Sequence, residues 1–207
     1  GNEIHDRLFD LIPGEPRLMP HIHLSLQAGD DMILKRMKRR HSRAQAVETV
    51  QRLKRRRPEI AIGADLIAGF PTETEEAHEN SLRLIDECDI VMGHVFPYSP
   101  KNGTPAARMP RVDPKAVKER GRRLREACAR RKAAWLQGLV GTRQRVLIEK
   151  DGFGHAENFA PVQVRHASEG WHPFGLSMDP SLRWGDGEIV EVTVTAVAGD
   201  ALVGVPA

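Results

Sequence analysis

The chain has 207 residues, of which 40% are apolar, and a formal net charge of +3 at pH 7. This length suits one large or two small domains, and the apolar fraction is sufficient for ordinary hydrophobic cores. No apolar run approaches the ~18 residues of a membrane span, and the first residues do not have the pattern of a signal peptide, so we expect a cytoplasmic protein with no membrane partner.

The first part of the chain alternates between helical and strand patterns. A helix is predicted over residues 1–11 and a short strand over His21–Leu26. Asp30 or Asp31 can cap a second helix, and Ser42 can cap a third, because short polar side chains are preferred at helix N-termini.

The stretch Ile60–Glu73 gives the strongest indication of fold class. It begins with small and β-branched apolar residues, as expected of a strand that is buried on both faces. It then turns at Gly69, and Thr72 or Thr74 can cap the helix that follows. A further apolar strand is predicted over Ile90–Phe96.

Strands that alternate with helices predict a parallel α/β sheet with right-handed crossovers. Three strands are too few for a closed barrel, so this region is expected to be part of something larger, or an open sheet whose edges need cover. Ligands of such sheets bind at the carboxyl ends of the strands. The alternative is a well-formed strand–helix turn that has no chemical role.

The rest of the chain changes its period. Tyr98–Pro114 is predicted to be a loop, residues 115–137 a long basic helix, Asp151–Gly154 a turn, and residues 166–186 are rich in Gly, Pro and Ser. Four or five short antiparallel strands predict a small OB-like β-barrel. The predicted strands include Arg143–Glu149, Phe159–Val164, Glu188–Val197 and Ala201–Val205.

Positive charge is concentrated in two blocks, Lys35–Arg57 and Arg108–Lys132, each with eleven Lys and Arg residues. The stretch Glu73–Asp89 between them is acidic. With a pI near 9.1, this pattern indicates a polyanionic partner. The alternative is that both blocks are solvated helix faces.

Three motifs, in this order and at this spacing, resemble the carboxyl half of the radical S-adenosylmethionine methylthiotransferases, and the tail from Val140 resembles the TRAM domain that ends those enzymes. The third motif is most similar to the branch that acts on threonylcarbamoyladenosine in tRNA. The motifs are HLSLQAGDD at 23–31, DLIAGFPTETEE at 65–76 and HVFPYSPKNGTPAARMP at 94–110.

The resemblance implies a partial (βα) barrel over residues 1–112, a linker helix over 113–138 and a TRAM β-barrel over 139–207. It also implies a radical reaction that adds a methylthio group to C2 of the modified adenosine. The implied cofactors are S-adenosylmethionine and [4Fe-4S] clusters, because C–S bond formation at an unactivated C–H bond needs a radical that only a cofactor provides.

The chain departs from the family in its cysteines. It has no CxxxCxxC motif, and its two cysteines, Cys88 and Cys128, have no CxxC partner. They are too few to form a cluster ligand set and indicate reduced structural thiols. We therefore expect a truncated portion of a longer enzyme, inactive alone, whose partner is the missing N-terminal part.

Five residues are implied contacts of S-adenosylmethionine: Ser25, Gln27, Asp65, Gly69 and Phe96. Ser25 and Gln27 share a strand face and can bond the ribose or methionyl groups, or else loop backbone. Asp65 in a buried strand needs a partner, of which an arginine is the structural alternative. Gly69 either admits a ligand or only makes the turn. Phe96 either holds the adenine or belongs to the core.

His21 and His23 also share one strand face. Two ligands are too few for a metal site, so hydrogen-bonded or core histidines are favoured there, and His94 is similarly ambiguous. No metal site is predicted.

The TRAM-like tail implies an RNA-binding surface for the anticodon arm of tRNA. Arg143, Arg145 and Lys150 supply positive charge, and Asn158 and Phe159 lie in a loop that can bond or stack a base. The alternative is a core phenylalanine and solvated arginines.

Two other functions remain open at this level. The chain can be a non-catalytic RNA-binding protein whose half-barrel is only a scaffold. It can also belong to a methylthiotransferase acting on a ribosomal protein, although Arg143 and Arg145 disfavour a basic protein substrate.

Overall fold

The computed structural model describes residues 9, 11, 12, 14–165 and 187–207. The helix predicted over residues 1–11 lies outside the described residues except for Phe9 and Leu11, and the segment 166–186 lies outside them entirely. The chain separates into two compact units, Gly1–Lys132 and Ala133–Ala207. None of the helices in the described part of the chain combines the length and hydropathy that a bilayer crossing requires.

The first unit contains a three-stranded sheet in the order β1-β2-β3, with both pairings parallel. Helices connect the strands, which confirms the predicted α/β class and its parallel strands. The elements are β1 (His21–Gln27), α1 (Asp31–Arg36), α2 (Arg43–Arg56), β2 (Ala61–Ala68), α3 (Glu75–Glu87) and β3 (Ile90–Pro97).

Polar caps fix the starts of the helices and resolve two sequence alternatives. The Asp30 carboxylate accepts the backbone N–H groups of the first turn of α1, so Asp30 rather than Asp31 is the cap. Ser42 forms a reciprocal capping box with Gln45 at the start of α2. Thr74, not Thr72, caps α3 through its hydroxyl. Each cap satisfies N–H groups that have no partner inside the helix.

The core of the first unit lies against one face of the sheet. The alternating residues Ile62, Ala64, Leu66 and Ala68 of β2 are fully buried there, packed with apolar side chains that include Val50 and Leu53 of α2 and Leu84 and Ile85 of α3. Because successive side chains of a strand point to opposite faces, the polar residues of the strands are gathered on the other face.

Helix α4 (Pro114–Gly138) follows a loop that contains a short 3₁₀ turn at Pro105–Arg108. Leu124 and Cys128 join the core of the first unit, and Leu136 joins that of the second. The boundary between the compact units therefore falls within α4. The division into three parts with a separate linker remains a prediction.

The second unit is a closed barrel of five strands in the order β4-β5-β6-β8-β7, which confirms the predicted small barrel. One pairing, β6 with β8, is parallel and the others are antiparallel. In a closed ring with an odd number of strands, at least one pair of neighbours must be parallel. The predicted antiparallel barrel is therefore corrected to a mixed one. The strands are β4 (Arg143–Lys150), β5 (Phe153–Ala156), β6 (Pro161–Val164), β7 (Ile189–Ala198) and β8 (Ala201–Pro206).

Strand β5 was not predicted from the sequence. The turn is shorter than expected, since only Asp151 and Gly152 have positive φ, at 50° and 72°, as in a two-residue hairpin turn. Gly154 lies within the strand, where a Cβ atom would come 1.8 Å from the carbonyl oxygen of Leu147. This glycine therefore permits the two strands to pack closely. The sequence pattern did not distinguish such a glycine from one that forms a turn.

Candidate functional site

Three side chains converge on the polar face of the sheet. His23 Nε2 lies 3.0 Å from Asp65 Oδ1, and His94 Nδ1 lies 3.5 Å from the same oxygen. The two imidazole ring centroids are 5.0 Å apart. Asp65 and His94 are direct partners in the β2–β3 register, so the sheet itself brings them together. The predicted need of Asp65 for a partner is met by two histidines rather than by an arginine.

Gly63 provides the space for this group. It is the register partner of His23, and a Cβ atom on Gly63 would lie 2.6 Å from His23 Nδ1 and 3.3 Å from His21 Nε2. Burial, and to a smaller extent His23, lower the pKa of His21, which favours its neutral form. Sequence reasoning identified these histidines and Asp65 separately. It missed Gly63 and the grouping, because the grouping depends on strand register, which the sequence pattern does not give.

The carboxyl end of β1 places Ser25 and Gln27 in different environments. The register is interrupted between Leu24 and Gln27, and Gln27 has a positive φ of 70°. Ser25 is exposed, whereas Gln27 is 8% exposed. The exposed Ser25 hydroxyl is accessible to a ligand, and a contact from Gln27 remains a prediction.

Phe96 lies on the exposed surface near the end of β3. Its side chain is 51% exposed, and its ring meets the His94 ring edge-on, with centroids 6.5 Å apart. Phe96 is therefore not a residue of the hydrophobic core. An exposed aromatic ring next to polar strand ends is a suitable surface for a planar, partly apolar ligand.

The turn after β2 is held by a buried ion pair that sequence reasoning missed. The Gly69 N–H donates to Glu73 Oε2 at 2.8 Å, and Arg120 Nη1 of α4 lies 3.2 Å from the same oxygen. Burial raises the pKa of Glu73, and the Gly69 N–H and Arg120 oppose that rise. Gly69 has a φ of 72°, and a Cβ atom there would lie 2.4 Å from Val117. These contacts explain the glycine structurally, so its contact with a cofactor remains a prediction.

The two cysteines do not fit as ligands of an iron–sulfur cluster. Both are buried free thiols. Burial raises the pKa of Cys88 to about 12 and that of Cys128 to about 11. Because the thiolate is the form that binds metal, neither thiol is prepared for ligation. Both residues belong instead to the hydrophobic core of the first unit.

The predicted basic residues of the barrel are exposed but differ in their pairing. Arg145 Nη1 lies 2.7 Å from Glu157. Within the described residues, Arg143 and Lys150 have no carboxylate partner at ion-pair distance. Their charges are therefore more available to an anionic ligand than that of Arg145.

The loop before β6 presents an aromatic ring. Asn158 is buried and its Oδ1 accepts the Ala160 N–H at 3.1 Å, so it shapes the loop. Phe159 has a positive φ of 67° and is 50% exposed. Its ring stacks on His155 with centroids 4.6 Å apart, and His155 meets Phe153 edge-on. We call Phe153, His155 and Phe159 the aromatic ladder.

Comparisons with known proteins place these features in context. The Radical SAM superfamily model matches residues 2–85. The chain is 51% identical over 162 residues to the threonylcarbamoyladenosine tRNA methylthiotransferase of Rickettsia prowazekii, covering 78% of this chain and 38% of that protein.

Similarity also extends to tRNA-2-methylthio-N(6)-dimethylallyladenosine synthases. The identity is 34% over 204 residues to the protein of Paracoccus denitrificans, covering 99% of this chain and 44% of that one. It is 42% over 137 residues to the protein of Erythrobacter litoralis, covering 66% and 31%. The chain thus spans less than half the length of each of these relatives.

Proposed function

Because the chain belongs to the radical S-adenosylmethionine methylthiotransferase family, of whose relatives it spans less than half the length, we propose that it is one portion of a cytoplasmic tRNA methylthiotransferase. In this proposal the first unit contributes part of the S-adenosylmethionine site and the second unit binds the anticodon arm of tRNA. The missing N-terminal part of the same enzyme is its partner.

The observation that carries this proposal is the polar face of the parallel sheet, on which each of the three strands supplies one suitable group. Ser25 supplies a hydroxyl, Asp65 a carboxylate and Phe96 an exposed ring. These groups fit the ribose hydroxyls, the amino group and the adenine of S-adenosylmethionine. Its reductive cleavage supplies the radical that the reaction requires.

The chain's own residues hold and orient the cofactor but do not include cluster ligands. Since neither cysteine fits that role, the iron–sulfur clusters of the family belong to residues outside this chain. We therefore expect no methylthiolation by the chain alone.

For the substrate we propose C2 of threonylcarbamoyladenosine. The similarity of 51% is to a threonylcarbamoyladenosine enzyme, against 34% and 42% to two dimethylallyladenosine enzymes. The names of these relatives concern tRNA, which disfavours the ribosomal-protein alternative.

The barrel supports the RNA part of the proposal. Arg143 and Lys150 offer charge to phosphates, and the aromatic ladder offers a surface on which a base can stack. Stacking on exposed aromatic side chains is a general means of binding unpaired bases, such as those of an anticodon loop.

Nuclear magnetic resonance of the labelled chain tests the cofactor part. Addition of S-adenosylmethionine at millimolar concentration is expected to shift the backbone amide signals of Ser25, Asp65 and Phe96, and S-adenosylhomocysteine should shift the same set. A Phe96→Ala variant should weaken the response. If no signal on this face responds while tRNA still binds, the non-catalytic RNA-binding alternative is favoured.

A further inference from the structure

The group formed by His23, Asp65 and His94 has no role in the function proposed above beyond a cofactor contact from Asp65. One donor atom from each residue can be chosen so that all three lie within 4.8 Å of one another. Two of these distances, from the imidazole nitrogens to Asp65 Oδ1, are 3.0 Å and 3.5 Å.

These distances suit ligands of one metal ion. With bonds of ~2.0–2.1 Å to a Zn²⁺ ion, neighbouring tetrahedral ligands are separated by about 3.4 Å. Two imidazoles and one carboxylate form a donor set that first-row divalent metals prefer. The side chains of His23 and His94 are partly exposed, at 33% and 61%, so small rotations can bring the third pair to the same spacing.

The backbone holds the three positions rigidly. His23, Asp65 and His94 come from three hydrogen-bonded parallel strands, and a site built on a sheet is more precise than one built on loops. The absence of a side chain at Gly63 leaves room for the His23 ring, because a Cβ atom there would lie 2.6 Å from His23 Nδ1. Asp65 of β2 and His94 of β3 supply the further ligands that the histidines of β1 lack by themselves.

We propose that His23, Asp65 and His94 bind one divalent transition-metal ion, with Zn²⁺ as the test ion. Three protein ligands leave a coordination position for water or a substrate atom, as in catalytic rather than structural zinc sites. This site is distinct in chemistry from a cysteine-bound iron–sulfur cluster. The proposal shares Asp65 with the cofactor contact proposed above but does not depend on that contact, because Zn²⁺ binding is measured without S-adenosylmethionine.

Calorimetric titration of the untagged, chelator-treated chain with ZnCl₂ tests the proposal, and the visible absorption of Co²⁺ reports the ligand environment. We expect one strongly bound equivalent. The variants His23→Gln, Asp65→Asn and His94→Gln should each weaken binding at least about tenfold, because even an outer-shell partner is worth ~10–100-fold. Metal should also raise the unfolding temperature of the wild type more than that of the variants.

His155→Gln is the matched control. His155 Nδ1 lies 2.9 Å from Glu149, so this variant also removes an imidazole from a histidine–carboxylate pair, but in the other unit. It should bind Zn²⁺ as the wild type does. Circular dichroism verifies that each variant is folded. The proposal is overturned if the strong equivalent is absent, survives all three substitutions, or is lost equally in His155→Gln.

Discussion

Phe159 combines an unfavourable backbone conformation with an exposed ring. A φ of 67° in a bulky residue costs about 1–3 kcal/mol, and such residues cluster at functional sites. The loop bonds of Phe159 N–H to the Ala156 carbonyl at 2.8 Å and of Ala160 N–H to Asn158 at 3.1 Å hold it in place. The arrangement keeps the ring stacked on His155 at the surface, which suits contact with a base.

Phe159→Gly should separate binding from folding. Glycine relieves the positive φ, so the free energy of unfolding should be unchanged or higher, while loss of the ring should weaken binding of an anticodon stem-loop by about 1–3 kcal/mol. Fluorescence anisotropy and urea unfolding measure the two effects. Phe159→Tyr, which keeps the ring, should bind as the wild type does. If both quantities fell together in Phe159→Gly, the ring would be structural.

His78 is fully buried in α3, and neither ring nitrogen has a hydrogen-bond partner among the described residues. Burial, followed by the Arg123 guanidinium, lowers the pKa of His78 to about 4. Between pH 6.5 and about 4 the unfolded chain therefore binds more protons at this residue than the folded one. Stability due to His78 is present above pH 6.5 and is lost as the pH falls through this window.

The free energy of unfolding should thus fall by roughly 1–2 kcal/mol between pH 7 and 5 because of His78. Urea unfolding of the wild type and of His78→Leu at both pH values measures this contribution. Glu73, whose pKa burial raises, contributes the opposite slope in both proteins, so the difference between them isolates His78. Equal pH dependence in the two proteins would contradict the assignment.

At the scale of elements, the contact between β3 and α4 depends on Gly93. A Cβ atom there would lie 2.2 Å from Cys128 Sγ and 3.0 Å from Cys128 Cβ. Because Cys128 is in the core of the first unit, relief of the contact would require the helix to move. The close approach of a strand to a helix explains why a glycine interrupts an otherwise apolar strand.

Gly93→Ala should therefore destabilise the protein by about 1–3 kcal/mol, as overpacking of a core does. Gly138→Ala is the control, because nothing lies within 4 Å of its added Cβ atom and alanine favours a helix. Thermal unfolding measures both. A Gly93→Ala protein as stable as the control would show that α4 packs less closely on β3.

At the scale of the whole molecule, ion pairs neutralise part of the positive charge that the sequence suggested was available to a polyanionic partner. The acidic stretch Glu73–Asp89 pairs with α4, and Arg122 pairs with two acids of its own helix. The second basic block is thus partly neutralised within the protein. The arginines of α4 that form ion pairs are Arg120, Arg122, Arg123 and Arg131.

Salt dependence of tRNA binding tests which charges meet phosphates. Replacing Arg143 and Lys150 by Gln should lower the slope of log affinity against log salt by about 0.7–0.9 for each phosphate contact removed. Arg122→Gln, which removes one charge that is already paired, should leave the slope unchanged. The reverse pattern would move the RNA contacts from the barrel to α4.

Hydrophobic periodicity and local capping chemistry are properties of short stretches, so the sequence alone determined the parallel α/β order, the long helix and the small barrel. Family motifs likewise located Ser25 and Phe96 near strand ends and Asp65 within the middle strand. Strand β5 escaped because a glycine that allows close packing looks the same in sequence as a glycine that makes a turn.

Tertiary structure alone decided which residues meet. The sequence contains His23, Asp65 and His94 at separations of 42 and 29 positions, and only strand register makes them neighbours. Tertiary packing likewise joins Gly69 and Arg120 through the carboxylate of Glu73. Among the described residues, it also leaves Arg143, but not Arg145, without a carboxylate partner. Contacts between distant segments depend on how sheets and helices pack, which no local pattern encodes.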